Sequence, residues 1–229
     1  MPNPVRRRGA PTRRRALHPD DKSERRAAIV RAAEALLRRA PMGAFSVDAL
    51  ARRAGLAKGT VYLYFRTREE VLLAVHAANS RRMFDALERA LAAPRVDAGV
   101  VTVATREFLR EHPGFLPLAS TCRSMLENNI GTAAALEFKR ALGERLSRLG
   151  GRIEQLYPHL ARGEGVALLM SCYALMIGLW QLADPPACLR QVMQRPDMQV
   201  FHIDFEKQLM AALSDLWQAA ERRAEGARQ

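Results

Sequence analysis

The sequence is poor in residues and patterns that mark several classes of protein. Aromatic residues make up only 6%, and the three cysteines, Cys122, Cys172 and Cys188, show no CxxC spacing. An odd number of cysteines without that spacing argues against a disulfide framework and against a zinc knuckle. Residues 2–19 contain no apolar run, so we expect no secretory signal there.

Motifs of the common enzyme classes are also missing. The sequence has no GxSxG, HExxH or GxGxxG motif, and Lys58-Gly59-Thr60 lacks the preceding glycine-rich run of a phosphate-binding loop. His202 and Glu206 share a helical i, i+4 spacing, but two ligands alone make a weak metal site. We therefore expect no catalytic residue, no metal site and no cofactor.

Basic residues are abundant and unevenly distributed. The 229 residues include 36 Lys and Arg against 24 Asp and Glu, a net charge of +12. Residues 1–76 hold 17 basic and 7 acidic side chains, whereas residues 77–229 hold 19 and 17. This asymmetry is typical of a polyanion-binding module joined to a nearly neutral body. The hydrophobic content of 48% is sufficient for a sizeable core.

One apolar segment has to be weighed as a membrane span. Residues 166–183 carry no charge and reach the lower edge of bilayer-spanning length. The segment lacks flanking clusters of Lys and Arg, and Ser171, Gly178 and Gln181 interrupt it. We therefore expect a helix buried between protein surfaces and no membrane contact.

The spacing of apolar residues predicts an all-α fold. Residues 1–22, with two arginine triplets and several prolines, are expected to form a disordered basic arm. Ser46 and Thr67 are predicted N-caps, and Gly55 suits the position after a helix. Polarity alternates over residues 200–206, but this stretch has no partner strand, so we expect it to be helical. Helices are predicted from about residue 22 to a stop at 41–43, over 47–54, 58–65, 68–92, 96–112, 142–156 and 165–183, and finally over 204–222.

Residues 45–71 (FSVDALARRAGLAKGTVYLYFRTREEV) follow the plan of a helix-turn-helix motif, whose second helix enters the major groove of DNA. Gly59 allows the backbone to approach DNA closely, and Arg66 and Arg68 follow where guanidinium groups can hold phosphates. The predicted core of the motif comprises Ala49, Leu50, Ala54, Leu56 and Val61, and the side chains predicted to project outward are Lys58, Thr60, Tyr62 and Tyr64.

This stretch resembles the DNA-binding domain of the tetracycline-repressor (TetR) family of bacterial transcription regulators. The likeness runs over about residues 23–83, from AAIVRAAEALL to AKGTVYLYFRTREEVLLAV, and includes the pattern Lys-Gly-Thr-x-Tyr-x-Tyr-Phe. It implies a core position for Phe65. Ala57 stands where relatives often have Ser, so one hydrogen bond to DNA is expected to be absent. The resemblance implies a phosphate contact at Ser46, base-edge or close-backbone contacts at Ala57, Lys58, Gly59 and Thr60, and phosphate contacts at Tyr62, Tyr64 and Arg68.

The rest of the chain resembles one of that family's divergent effector domains, in the segments SMLENNI, FKRALGERLSRLGGRIEQLYPHL and GEGVALLMSCYALMIGLWQLAD. The resemblance implies a pocket among helices four to seven and a four-helix dimer interface formed by the last two long helices. It divides the chain into the basic arm 1–22, a three-helix helix-turn-helix domain 23–83 with its motif at 46–65, and an effector-binding and dimerisation domain 84–229. The methionines and aromatics of this body are core residues by default, and some are expected to line the pocket: Met125, Met170, Tyr173, Met176 and Trp180.

Together these features predict a cytoplasmic, homodimeric repressor that binds a palindromic double-stranded DNA operator and is released by an unknown small-molecule effector. Dimerisation is predicted through residues 165–183 and 204–222, because the final helix carries apolar residues such as Leu213 and Met210 on two faces. Cys122 and Cys172 are expected to be buried rather than to act as redox sensors. Two alternatives stay open: a non-specific or architectural DNA-binding protein that uses the basic arm, and an enzyme whose body converts a ligand.

Overall fold

A computed structural model describes residues 19–38, 45–122 and 129–226 of the chain. No strand is assigned within these ranges, and the predicted all-α fold class is confirmed. A 3-10 helix, Pro196–Phe201, lies between the last two α-helices. The ten α-helices of the described residues are α1 (Pro19–Leu37), α2 (Val47–Ala54), α3 (Lys58–Tyr64), α4 (Arg68–Ala90), α5 (Ala98–Glu111), α6 (Phe115–Thr121), α7 (Thr132–Leu156), α8 (Glu164–Ala183), α9 (Ala187–Met193) and α10 (Phe205–Gly226).

Capping residues set the helix boundaries near the N-terminus. The Ala49 backbone N–H donates to Ser46 Oγ at 3.1 Å, and the Glu70 N–H donates to Thr67 Oγ1 at 3.1 Å. Both predicted N-caps are thereby confirmed. Gly55 ends α2 in the left-handed conformation, with φ of +67°, as a glycine after a helix commonly does. The first 18 residues of the predicted basic arm and the predicted helix stop at 41–43 lie outside the described residues.

Two short helices were not predicted, because prolines within or before them resemble those of connecting segments. Pro117 occupies the first turn of α6, where a missing N–H breaks no helical hydrogen bond, and α9 begins directly after Pro186. The helix expected across residues 200–206 is wrong. The 3-10 helix ends at Phe201, and α10 starts only at Phe205, where the Lys207 N–H donates to Asp204 Oδ1 at 3.1 Å.

The helices enclose two hydrophobic cores that share α4. The first core unites α1 to α4 around Ile29, Leu50, Val61 and Phe65, so the predicted core positions Leu50 and Val61 are confirmed. The second core unites α4 to α8 and α10. α4, with 23 residues, contributes to both cores and is continuous in sequence with the helix-turn-helix, and Leu118 of α6 and Phe138 of α7 also pack into the first core.

A polar cluster ties α1 to the middle of α4. Arg82 Nη1 donates to Glu34 Oε1 and to Asn79 Oδ1, each at 2.6 Å. The Glu34 side chain is only 10% exposed, so this ion pair is better shielded from solvent than a surface pair. The contact links α1 to the middle of α4.

Two glycines let α7 and α8 cross in close contact. A methyl group built on Gly165 of α8 would lie 2.8 Å from the carbonyl carbon of Gly150 on α7. A methyl group on Gly150 would lie 2.8 Å from the Val166 backbone nitrogen. Since backbone atoms fill both positions, neither helix can accept a side chain there without moving apart from the other.

The outward faces of α8 and α10 differ. α10 packs between α5 and α8, so Leu213 is buried inside the protomer and its face of α10 is the inward one. α8 buries few of its residues and is, within the described ranges, the one helix whose length and composition would allow it to cross a membrane. A helix at a protein interface passes the same test, and a single such helix is weak support for a membrane span. α8 therefore presents an outer face with the uncharged residues Ala167, Ser171 and Ala174, which the described residues leave exposed.

The three cysteines differ in exposure, which gives a prediction about their reactivity. Cys122 and Cys172 are buried, as predicted, whereas Cys188 on α9 is exposed. Burial raises the pKa of the Cys172 thiol to about 11, so it is almost entirely protonated at pH 8. We expect Ellman's reagent to modify one thiol per chain rapidly in native protein. A Cys188→Ser variant should lose that rapid phase, and a rapid phase retained in the variant would contradict this assignment.

Candidate nucleic-acid interface and ligand cavity

The helix-turn-helix is formed by α2 and α3 with a tight turn at residues 55–57. The Gly55 N–H donates to the Arg52 carbonyl at 3.2 Å and the Leu56 N–H to the Ala51 carbonyl at 3.0 Å, which closes the end of α2. Leu50 and Val61 anchor the two helices to the first core. The opposite side of α3 is therefore turned to solvent.

Most of the predicted DNA contacts lie at the starts of α2, α3 and α4, which the fold brings near one another, and Tyr62 and Tyr64 lie in the second half of α3. Lys58 Nζ at the start of α3 lies 3.0 Å from Asp48 Oδ2 at the start of α2. The Arg68 guanidinium carbon at the start of α4 lies 5.5 Å from the ring centroid of Phe45, beside the cap of α2. The predicted residues that are exposed are Ser46, Ala57, Lys58, Gly59 and Tyr62, and those that are partly buried are Thr60, Tyr64 and Arg68.

Lys58 already has an acidic partner in the absence of DNA. Its hydrogen bond to Asp48, together with the carboxylate charge, raises the pKa of the Lys58 ammonium group. Both side chains are about half exposed, so the pair is surrounded by water and can separate easily. The ammonium group carries three N–H donors, so a phosphate or base acceptor near Lys58 could bind beside Asp48 or replace it.

Arg68 and Tyr64 combine exposure with packing. The Arg68 guanidinium lies over Phe45, and Tyr64 packs partly against the first core. Arg66, between them in sequence, has an exposed side chain, and its backbone N–H donates to Glu70 Oε2 at 2.7 Å. Arg66 is therefore free of this packing role and is the simpler candidate for a phosphate contact.

Sequence reasoning missed one exposed residue of α3. Leu63 is 78% exposed and lies next to Tyr62, which is 46% exposed. An apolar side chain on a short helix is usually assigned to the core, but Leu63 lies off the face that Val61 and Phe65 bury. The spacing of Leu63 from Val61 and Phe65 along α3 could have indicated that Leu63 is exposed. In a major groove, an exposed Leu at this place can contact the methyl group of a thymine.

The body contains a cavity of about 1000 Å³ among α4 to α8 and α10. Three of the predicted pocket residues line it: Met170, Tyr173 and Met176. Trp180 does not belong to this lining and borders a smaller cavity, where its ring centroid lies 5.5 Å from that of Phe205. Met125 lies outside the described residues.

The cavity wall is largely apolar. The hydroxyl of Thr105 donates to the Val101 carbonyl and that of Ser120 to the Pro117 carbonyl, each at 2.9 Å, so both are already engaged within their own helices. Lys139 is the one fully charged side chain among the described lining residues. Such a wall suits a ligand whose surface is mostly hydrophobic.

His76 is a further lining residue that the sequence did not single out. Its ring is buried on α4, with centroids 5.9 Å from those of both Phe115 and Phe138. The presence of a histidine within the apolar run of α4 could have indicated that this position has a special role. His76 lies eight residues after Arg68 on one helix, so the wall of the cavity and the candidate DNA surface are about 12 Å apart along α4.

Comparison with known proteins finds two family models that match the chain. A family model described as "Bacterial regulatory proteins, tetR family" matches residues 29–75, and one described as "Tetracyclin repressor-like, C-terminal domain" matches residues 77–224. No curated protein matches the chain.

Solved structures show the same fold at low sequence identity. A possible TetR family transcriptional regulator from Streptomyces coelicolor A3(2) superposes with a TM-score of 0.58 at 19% identity, covering 86% of this chain and 98% of that one. A protein of unknown function from Rhodococcus sp. RHA1 gives a TM-score of 0.54 at 20% identity, covering 91% of this chain and 98% of that one. The two family models together span both cores, and the chain belongs to the TetR family of bacterial transcription regulators.

Proposed function

We propose that this protein is a cytoplasmic, homodimeric repressor that binds a palindromic operator and releases it when a largely apolar small molecule enters the cavity. TetR-family proteins regulate transcription by binding DNA, respond to small molecules and act as dimers. The observation that carries the proposal is the continuous helix α4, which begins beside the candidate DNA surface at Arg68 and lines the cavity at His76.

Direct reading of base edges is assigned to the exposed start and outer face of α3. Lys58, Thr60 and Leu63 would face the major groove, as the first turns of a recognition helix do. Ser46, Tyr62, Tyr64, Arg66 and Arg68 would hold phosphates on either side. Ala57 and Gly59, which present little or no side chain, would let the backbone of α3 come close to the DNA.

The dimer would form through the uncharged outer face of α8, with α10 beside it. Ala167, Ser171 and Ala174 are exposed on this face although none is charged. Small side chains allow two helices to approach closely, and an exposed apolar face of this length is unusual on a monomer. Pairing α8 with its symmetry mate would place two copies of α3 for two half-sites about one helical turn apart, or a multiple of it.

Release would follow from a shift between two arrangements of α4. DNA favours the conformer in which the two α3 helices match the half-site spacing, and the effector favours another. The effector weakens operator binding only by its differential affinity for the two conformers. The Glu34–Arg82 ion pair would carry a displacement of α4 to α1 and so to the whole helix-turn-helix.

The test is selection of bound duplexes from a random pool at fixed physiological salt. We expect an inverted repeat to be recovered, because a two-fold symmetric dimer presents the same recognition helix, α3, to each of the two half-sites. Recovery of sequences without a common motif would instead support the non-specific, architectural alternative. Recovery of a single unrepeated site would argue against a dimer on DNA.

A further inference from the structure

Large apolar side chains are concentrated on the surface between the last two long helices. Neither α9 nor the 3-10 helix Pro196–Phe201 contains a buried residue. A seven-residue helix is not stable in water by itself, and within the described residues α9 packs mainly against the 3-10 helix, which leaves its large apolar side chains exposed. The exposed side chains are Leu182 (63%), Leu189 (46%), Val192 (43%), Val200 (82%) and Phe201 (58%).

This α9 segment, residues 187–201, is held in shape by its own contacts. α9 packs against the 3-10 helix, and a His202 ring nitrogen lies 2.7 Å from the Met193 carbonyl oxygen. Arg195 forms an ion pair with Asp197 at 3.1 Å within the same turn. The segment is therefore a defined surface whose apolar side chains are presented outward.

We propose that the α9 segment packs on a second copy of this chain, at the edge of the dimer interface. The inference rests on the proposed dimer through α8 and α10. The segment joins the end of α8 to the start of α10, the two helices of the proposed dimer interface, and Leu182 in the last turn of α8 is itself exposed. The outer face of α8 offers Ala167 and Ser171, which are exposed and uncharged, so an apolar partner meets no charged group there that would have to lose its water.

The exposed apolar area also supports a contact with a second copy of the chain. The four exposed apolar side chains of the segment and Leu182 at the end of α8 together offer roughly 500 Å² per protomer, as large as the largest apolar patch on a typical monomer. A stable protein interface buries about 800 Å² per partner, so these five side chains would supply more than half of what a dimer needs. The narrow uncharged strip of α8 would supply the remainder.

The experiment is sedimentation equilibrium of three variants of the full chain across nanomolar to micromolar concentration. Leu189→Glu and Phe201→Glu should each weaken the dimer by about tenfold or more, because each places a charge in an apolar contact. Val103→Glu is the matched control, since Val103 is also exposed, at 40%, but lies on α5. The Val103→Glu substitution should leave the dissociation constant of the dimer unchanged.

All three side chains are exposed in the protomer, so thermal unfolding of the variants at monomeric concentrations should match that of the unaltered protein. If the unaltered protein is dimeric and neither α9-segment variant changes the dissociation constant of the dimer, this inference is wrong and the proposed dimer stands. An unaltered protein that is monomeric at micromolar concentration would overturn the proposed dimer itself, and the inference with it.

Discussion

Replacement of Gly165 by alanine is expected to destabilise the protein by about 2–3 kcal/mol, the upper range of overpacking in a close-packed interior. The added methyl group would meet the Gly150 carbonyl group of α7, and backbone atoms cannot rotate away as a side chain can. α7 and α8 would have to separate, which loosens the second core and the cavity between them. Urea unfolding monitored by circular dichroism measures the change.

Gly151 provides the matched control for this prediction. It follows Gly150 directly on α7, yet a methyl group built on it would find no atom within 4 Å. Alanine there should stabilise the helix by about 0.5–1 kcal/mol, because glycine is a poor helix former. If both variants shift the midpoint by the same amount, the close crossing of α7 and α8 is not what constrains Gly165.

Removal of the Thr60 side chain is expected to reduce operator affinity by about 5- to 150-fold, which corresponds to about 1–3 kcal/mol for a direct base contact. Thr60 lies at the start of α3, the end that reaches base edges in helix-turn-helix complexes. Affinity for scrambled DNA should change little, because base contacts distinguish sequences. Fluorescence anisotropy on both duplexes over a salt series makes the measurement.

Arg66 and Arg68 provide the contrasting variants. Arg66→Ala should weaken operator and scrambled DNA alike and reduce the slope of log affinity against log salt by about one for each lost phosphate contact. Arg68→Ala should do the same and also lower thermal stability slightly, since its guanidinium lies over Phe45. An arginine variant that changes base preference, together with a Thr60 variant that weakens both duplexes equally, would reverse the assignment of the two groups.

Local signals made the N-terminal half of the fold predictable. Ser46, Gly55 and Thr67 act within one turn of their own positions, so their hydrogen bonds and φ angles follow from sequence. Pro117 shows the limit of such signals. A proline in the first turn of a helix and one in a loop look alike in sequence, because the difference lies in which N–H groups lack partners.

The cavity was only partly predictable, for a reason that lies in α8. A helix without charges has no polar stripe to indicate which side faces inward, so its large residues appear equivalent. Met176 and Trp180 are one turn apart, yet Met176 meets the cavity and Trp180 meets Phe205 at the start of α10. Which neighbour stands beside each turn is set by long-range packing. The exposure of Leu63 was not predicted for the same reason, because it depends on how α3 lies against the first core.

The chain has two tryptophans, and only Trp217 forms part of the cavity wall. Trp217 is 2% exposed, so its indole is largely shielded from bulk water. An occupant would change the polarity around this one ring and leave Trp180, which borders the other cavity, largely as it was. The intrinsic fluorescence of Trp217 would therefore change when a ligand binds in the cavity, and binding could be followed without any added dye.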